Sequence, residues 1–120
     1  LSAEAWRTEV EDHFIVLPQI ETRRGLNAVA EIAHHPITSA VAVGPYDLSA
    51  ELGCCGQMQA PPLQDALKQI LAAARAAGKP GWMIGDAAPL VRAGWNFVCL
   101  GEPTWLLEAA LRQHVAHVHA

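Results

Sequence analysis

The sequence predicts an α/β fold, half of a (β/α)8 TIM barrel in which four parallel strands alternate with helices. Three observations lead there. Short apolar runs rich in Ile and Val, bounded by turn residues, recur along the chain, and each is followed by a stretch with helical periodicity. The first two runs end in carboxylates, Glu21 and Asp47, as expected where chemistry gathers at the C-terminal rim of a barrel. The chain has 120 residues, about half the usual ~250 of a closed barrel, and it lacks the G-x-G-x-x-G and P-loop patterns of doubly wound sheets.

Ser2 is placed to cap a first helix running to about Asp12, with Ala3, Trp6 and Val10 on one apolar face expected to cover the sheet. Residues 14–20 form the first strand, flanked by His13 at one end and Glu21 at the other. A helix over roughly 26–33 repeats Leu26, Val29, Ala30 and Ala33 at helical spacing, and Pro36 ends it. Residues 39–43 form the second strand, and Gly44-Pro45-Tyr46-Asp47-Leu48-Ser49 turns the chain at its end. Asp47 is also a candidate N-cap for a segment over 48–52.

The glycine- and cysteine-bearing stretch 53–60 reads as a loop on the same rim, long enough to contribute to a lid. Pro61 and Pro62 open the strongest helix, with Leu63, Leu67, Ile70, Leu71, Ala74 and Ala77 as its buried stripe and Gly78 as its stop. Residues 81–85 form a third strand, Asp86 begins a brief helix that ends at Gly94, and residues 96–100 form a fourth strand. The last helix starts near Thr104, with Leu106, Leu107, Ala110, Leu111 and Val115 on one face. Four strands make only half a barrel. Its two edge strands need a second half, either a preceding segment or another copy.

A net charge of -4 with scattered Lys and Arg offers no basic stripe for nucleic acid and no polybasic patch for a membrane. No apolar run approaches membrane-spanning length and no signal peptide is visible, so the cytoplasm is the expected location. Cys54, Cys55 and Cys99 are odd in number, with two adjacent, and read as reduced thiols. The first residue is Leu1 rather than methionine, which reads as a processed or excised piece of a longer protein.

Parallel strands deliver their C-terminal ends to one side, so Glu21 and Asp47 should share a rim on neighbouring strands roughly 5 Å apart. Two carboxylates there are within reach of one metal ion. Gly44 permits close backbone approach, and the free amides after Pro45 could hold a carboxylate. Other residues carry less. His34 and His35 are adjacent, point in different directions and suit a helix terminus better than a metal. No group evidently activates Cys54 or Cys55 as a nucleophile. His114, His117 and His119 make a conceivable zinc cluster, but a solvated terminus explains them as well.

Gln19-Ile20-Glu21-Thr22, Gly25, Glu31-Ile32 and Gly44-Pro45-Tyr46-Asp47-Leu48-Ser49 with Gly53 behind it together resemble the HpcH/HpaI aldolase family. The turn Gly78-Lys79 and the segment from Ala93-Gly94 to Phe97-Val98 follow the same pattern, and the whole corresponds to the second half of a family member. The resemblance implies a metal-dependent (class II) aldolase that cleaves or forms 4-hydroxy-2-oxo acids through a pyruvate enolate. It implies a divalent ion, Mg2+, Mn2+ or Co2+, on Glu21 and Asp47, with Gln19 and the backbone of Pro45, Tyr46 and Asp47 beside the 2-oxo acid. It also implies hexamers in which the terminal helix often packs on a neighbour.

The family's histidine base and keto-supporting arginine belong to the first half, so this chain supplies no catalytic residue of that kind and is expected to be inactive alone. Gly101-Glu102-Pro103 departs from the glycine-aspartate more usual after the last strand. Two alternatives remain open: an enzyme like the citrate lyase β-subunit or malyl-CoA lyase, and a non-catalytic half-barrel that self-associates.

Overall fold

The computed structural model describes residues 2–6 and 13–118, apart from the side chain of His117. Four strands form one sheet in the order β1-β2-β3-β4, every neighbouring pair parallel. They are β1 (Gln19–Ile20), β2 (Val41–Val43), β3 (Gly81–Ile84) and β4 (Phe97–Cys99). Strand order equal to chain order, with a helical crossover at each step, is the arrangement of consecutive barrel strands. The sheet does not close. β1 and β4 are its edges, as half a barrel requires.

The helices are α1 (Ala3–Ala5), α2 (Arg23–Asn27), α3 (Val29–His34), α4 (Pro45–Glu51), α5 (Pro61–Ala76), α6 (Ala87–Ala93) and α7 (Pro103–Val118). α5 is the principal cover. Leu63, Ala66, Ile70, Leu71 and Ala74 are buried along it, and they join Ile20, Val41, Val43 and Met83 of the strands in one core cluster. Leu67 and Ala77 of the expected stripe are only partly buried, and Ala66 takes the inner place between Leu63 and Ile70. Gly78 ends the helix in the left-handed region at φ 66°, where a side chain would be strained.

Strand register separates the two sheet faces. Gln19, Ala42, Trp82 and Phe97 are mutually paired in one row. Ile20 pairs with Val43, and Met83 with Val98, on the alternate positions that face the helices. The row containing Trp82 and Phe97 therefore faces what would be the barrel interior. Phe97 is 37% exposed there.

Several boundaries differ from those expected. Residues 14–18 lie outside β1, and Phe14 and Ile15 are 55% and 66% exposed. That segment runs along an open edge, where only one neighbouring strand is available for pairing. The helix after β1 starts earlier, because the Thr22 hydroxyl accepts from the Gly25 amide at 3.0 Å and caps it, and it breaks at Ala28. Asp47 is not an N-cap but lies in the first turn of α4, which begins at Pro45.

The expected first helix is described only over Ala3–Ala5 and buries no residue, so it does not cover the sheet there; Val10 and Asp12 lie outside the described residues. Trp6 instead meets Phe14 edge to face, with ring centroids 6.3 Å apart. The last helix carries its apolar residues exposed, Leu106, Leu107, Leu111 and Val115 each above half, so its predicted apolar face is not buried in this chain. Glu102, an unusual residue after the last strand, accepts from the amides of Thr104 at 2.9 Å and Trp105 at 3.3 Å and so starts that helix. His119 lies outside the described residues, and among the described ones no cluster of three His, Cys, Asp or Glu could hold a metal. None of the described helices is long and apolar enough to cross a membrane.

Since Ile70 is fully buried between helix and sheet, Ile70→Ala is expected to cost about 2–5 kcal/mol. A urea titration followed by tryptophan fluorescence measures it; an unchanged midpoint would contradict this core.

Candidate active site

The site is built from the ends of β1 and β2. The ladder between them continues one step past the strands, where the Gly44 amide donates to the Ile20 carbonyl at 3.1 Å. Gly44 is thereby drawn against the residues flanking Ile20. The Gln19 side-chain amide donates to Glu21 Oε2 at 2.7 Å, which orients the carboxylate. A Cβ on Gly44 would lie 2.6 Å from Glu21 Oε2 and 2.8 Å from Gln19 Nε2. A side chain there would push both of these side-chain ends out of their present pairing. Gln19 is itself exposed on the inner face, while Glu21 is half-buried.

Pro45 then opens α4 at its first position, where a missing N–H costs nothing. Tyr46 and Asp47 follow in the first turn, whose amides have no partner within a helix. Both side chains are exposed. Asp47 thus follows the C-terminal end of β2 as Glu21 follows that of β1, the same end of the sheet, which is what parallel pairing demands, although Glu21 does not itself line the cleft described next. Gln19, Gly44, Pro45, Tyr46 and Asp47 line one open cleft of ≈ 570 Å³.

The motif residues behind the cleft brace it. Ser49 is fully buried; its hydroxyl donates to the Tyr46 carbonyl at 2.6 Å and accepts from the Gly56 amide at 2.9 Å. The Cys54 amide donates to the Ser49 carbonyl at 2.8 Å. One serine therefore ties the 53–60 loop to the turn that carries Asp47. On the other flank the Arg23 amide donates to Glu51 Oε2 at 3.1 Å, joining α2 to α4.

Of the loop cysteines, Cys54 is buried and Cys55 exposed. The Cys55 thiol, in hydrogen-bonding contact with the Tyr46 phenol, holds that phenol above its ordinary pKa, with the Asp47 charge a lesser contributor.

Some residues of the cleft escaped sequence reasoning. Trp82, Ile84, Asp86, Leu100 and Trp105 also line it. For Trp82 and Ile84 on β3, and for Asp86 and Leu100 just past β3 and β4, the available signal was position at a strand end or inner face; Trp105 comes instead from the first turn of α7. Asp86, expected to begin a helix, does so: its carboxylate accepts from the Ala88 amide at 3.2 Å.

The family model for HpcH/HpaI aldolase/citrate lyase matches residues 3–92. The chain belongs to this family. A hydroxypyruvate/pyruvate aldolase of Chromohalobacter salexigens is 29% identical over 119 residues, 96% of this chain but 47% of that protein. A 4-hydroxy-2-oxo-heptane-1,7-dioate aldolase of Salmonella arizonae is 39% identical over 103 residues, 82% of this chain and 39% of that protein. A crystal structure of an HpcH/HpaI aldolase/citrate lyase family protein from Burkholderia cenocepacia superposes with a TM-score of 0.91 at 28% identity, over 97% of this chain and 47% of that one. The chain thus spans about half the length of the relatives it matches, and four open strands are what half of such a protein provides.

Removal of the buried bridge in Ser49→Ala is expected to cost about 1–3 kcal/mol, because the Gly56 amide and Tyr46 carbonyl lose their shared partner. Hydrogen exchange should show the Gly56 amide losing protection; unaltered protection there would contradict the bracing role.

Proposed function

We propose that this chain is the metal-holding half of a class II aldolase that cleaves or forms 4-hydroxy-2-oxo acids through a pyruvate enolate. The observation that carries the reading is the packing at Gly44, where absence of a Cβ lets β2 approach a carboxylate that Gln19 already orients. Glu21 and Asp47 are the proposed metal ligands. The donor set suits a hard divalent cation such as Mg2+, Mn2+ or Co2+, since it offers carboxylate oxygens and no soft sulfur ligand. Held by Glu21 and Asp47, such a cation would supply positive charge that stabilises the enolate of a 2-oxo acid.

The chain's own residues would act around it. Gln19 steers Glu21 by its 2.7 Å hydrogen bond and faces the inner side of the sheet, where the substrate's keto end would lie. The backbone of Pro45, Tyr46 and Asp47 presents the first-turn amides of α4 toward a carboxylate, with Tyr46 as a neutral hydrogen-bond donor at the cleft edge. The proton-transfer group and the cation that supports the keto oxygen are assigned to a complementing N-terminal half, so the isolated chain should bind metal without turnover.

Metal binding tests this without requiring catalysis. Isothermal titration of the purified chain with Mn2+ should show one site, weakened at least tenfold in Glu21→Ala and in Asp47→Ala. Full-strength Mn2+ binding by both variants would remove the ligand assignment. A full-length protein containing this sequence should release pyruvate from a 4-hydroxy-2-oxo acid in the presence of Mg2+, and either substitution should reduce that release by 100-fold or more; turnover of acyl-CoA substrates instead would favour the citrate lyase-like reading.

A further inference from the structure

The cleft beside Asp47 has two unlike sides. Toward β1 and β2 it is polar, with the Gln19 amide, the Tyr46 phenol and the Asp47 carboxylate in its lining. Toward β3 and β4 it is apolar, and Trp82, Ile84, Leu100, Trp105 and Leu106 form that wall. Trp82 and Ile84 are alternate residues of β3 and share a face, Leu100 directly follows β4, and the other two come from the first turn of α7.

Local structure holds this wall in place. The Glu102 carboxylate accepts from the amides of Thr104 and Trp105, which fixes the first turn of α7 at the end of β4. Leu106 lies over the backbone there, since a Cβ on Gly101 would meet its Cδ2 at 3.7 Å. Leu100, Trp105 and Leu106 nevertheless remain 66%, 65% and 52% exposed. An apolar group laid against them would remove that surface from water.

Charge points the same way. The charged side chains in the lining described are both acids, Asp47 and Asp86. Asp86 is anchored at the end of β3, beside the apolar wall, where its carboxylate caps α6 through the Ala88 amide at 3.2 Å. A carboxylate brought to this wall would lose water to apolar surface and stand near a like charge, and both effects are unfavourable.

We propose that the aldehyde this site releases or takes up is uncharged, with an apolar substituent of a few carbons packed against Trp82, Ile84, Leu100, Trp105 and Leu106. The inference rests on the aldolase reading and names its substrate class. Breaking the bond between C3 and C4 leaves the electron pair on C3 as the enolate, which a proton converts to pyruvate. The C4 hydroxyl loses its proton and becomes the aldehyde carbonyl, and everything beyond C4 leaves with it. With the 2-oxo acid end beside Asp47 and the first-turn amides of α4, that remainder extends over β3 and β4.

The test compares two substrates that differ only at C7. In a full-length protein containing this sequence, with Mg2+, kcat/KM for pyruvate release from 4-hydroxy-2-oxoheptanoate should exceed that from 4-hydroxy-2-oxoheptane-1,7-dioate by about tenfold or more. Leu100→Arg alters an exposed side chain, so it should leave the circular dichroism spectrum unchanged. It should improve use of the dioate relative to the monoacid by about tenfold, mainly through KM, because it places a cation on the wall. Leu100→Gln, which removes the apolar contact without adding charge, should not. Trp105→Ala should raise KM for the heptanoate more than for 4-hydroxy-2-oxopentanoate, whose single carbon beyond C4 covers less of the wall. A dioate used as well as the monoacid, or a preference that Leu100→Arg does not move, would overturn the inference and leave the aldolase reading standing. No pyruvate from any of the three acids would remove both.

Discussion

The parallel pairing of β1 with β2, extended by one hydrogen bond from Gly44 to Ile20, is the constraint on which the rest of this structure depends. It determines that both strands end on the same side, and it brings the backbone of the second under the side chains of the first. At that point Glu21 Oε2 and Gln19 Nε2 occupy the volume a Cβ on Gly44 would need. A side chain there would displace that pair. The carboxylate is oriented by the Gln19 amide before any ligand arrives.

The surrounding motif residues serve that junction more than they serve chemistry. Thr22 starts α2 immediately after Glu21, so the chain leaves the rim at a fixed angle. Ser49 is buried beneath α4 and satisfies both the Tyr46 carbonyl and the Gly56 amide, which binds the loop to the turn. A serine is suited to this because one hydroxyl both donates and accepts. The family pattern around the two acids thus has a physical content, because Thr22, Gly44 and Ser49 position the rim on which the acids stand.

The half-barrel also explains why burial is uneven. One face of the sheet is sealed by α5 and its apolar stripe, while the inner row, the β1 edge and α7 remain open. The chain satisfies the local rules of a β/α repeat at every step except the two where the repeat has no neighbour. Among the described residues those two steps hold large apolar exposures, as expected where an open sheet has an edge.

Periodicity and punctuation by themselves determined the repeat of strand and helix, the α5 stripe, and the placement of Glu21 and Asp47 at strand ends. These are local or nearest-neighbour properties: alternation, helical spacing, Pro and Gly at boundaries, and the common polarity of parallel strands. What the linear order left undecided was whether an apolar residue finds a partner. Phe14, Ile15 and the apolar face of α7 are exposed, because burial depends on a neighbouring strand or helix that the described residues do not supply. The support of Glu21 by Gln19 over Gly44, the bracing by Ser49, and the cleft residues Trp82, Asp86 and Trp105 belong to the same class. They join segments far apart in sequence, and only the tertiary structure decides distances of that kind.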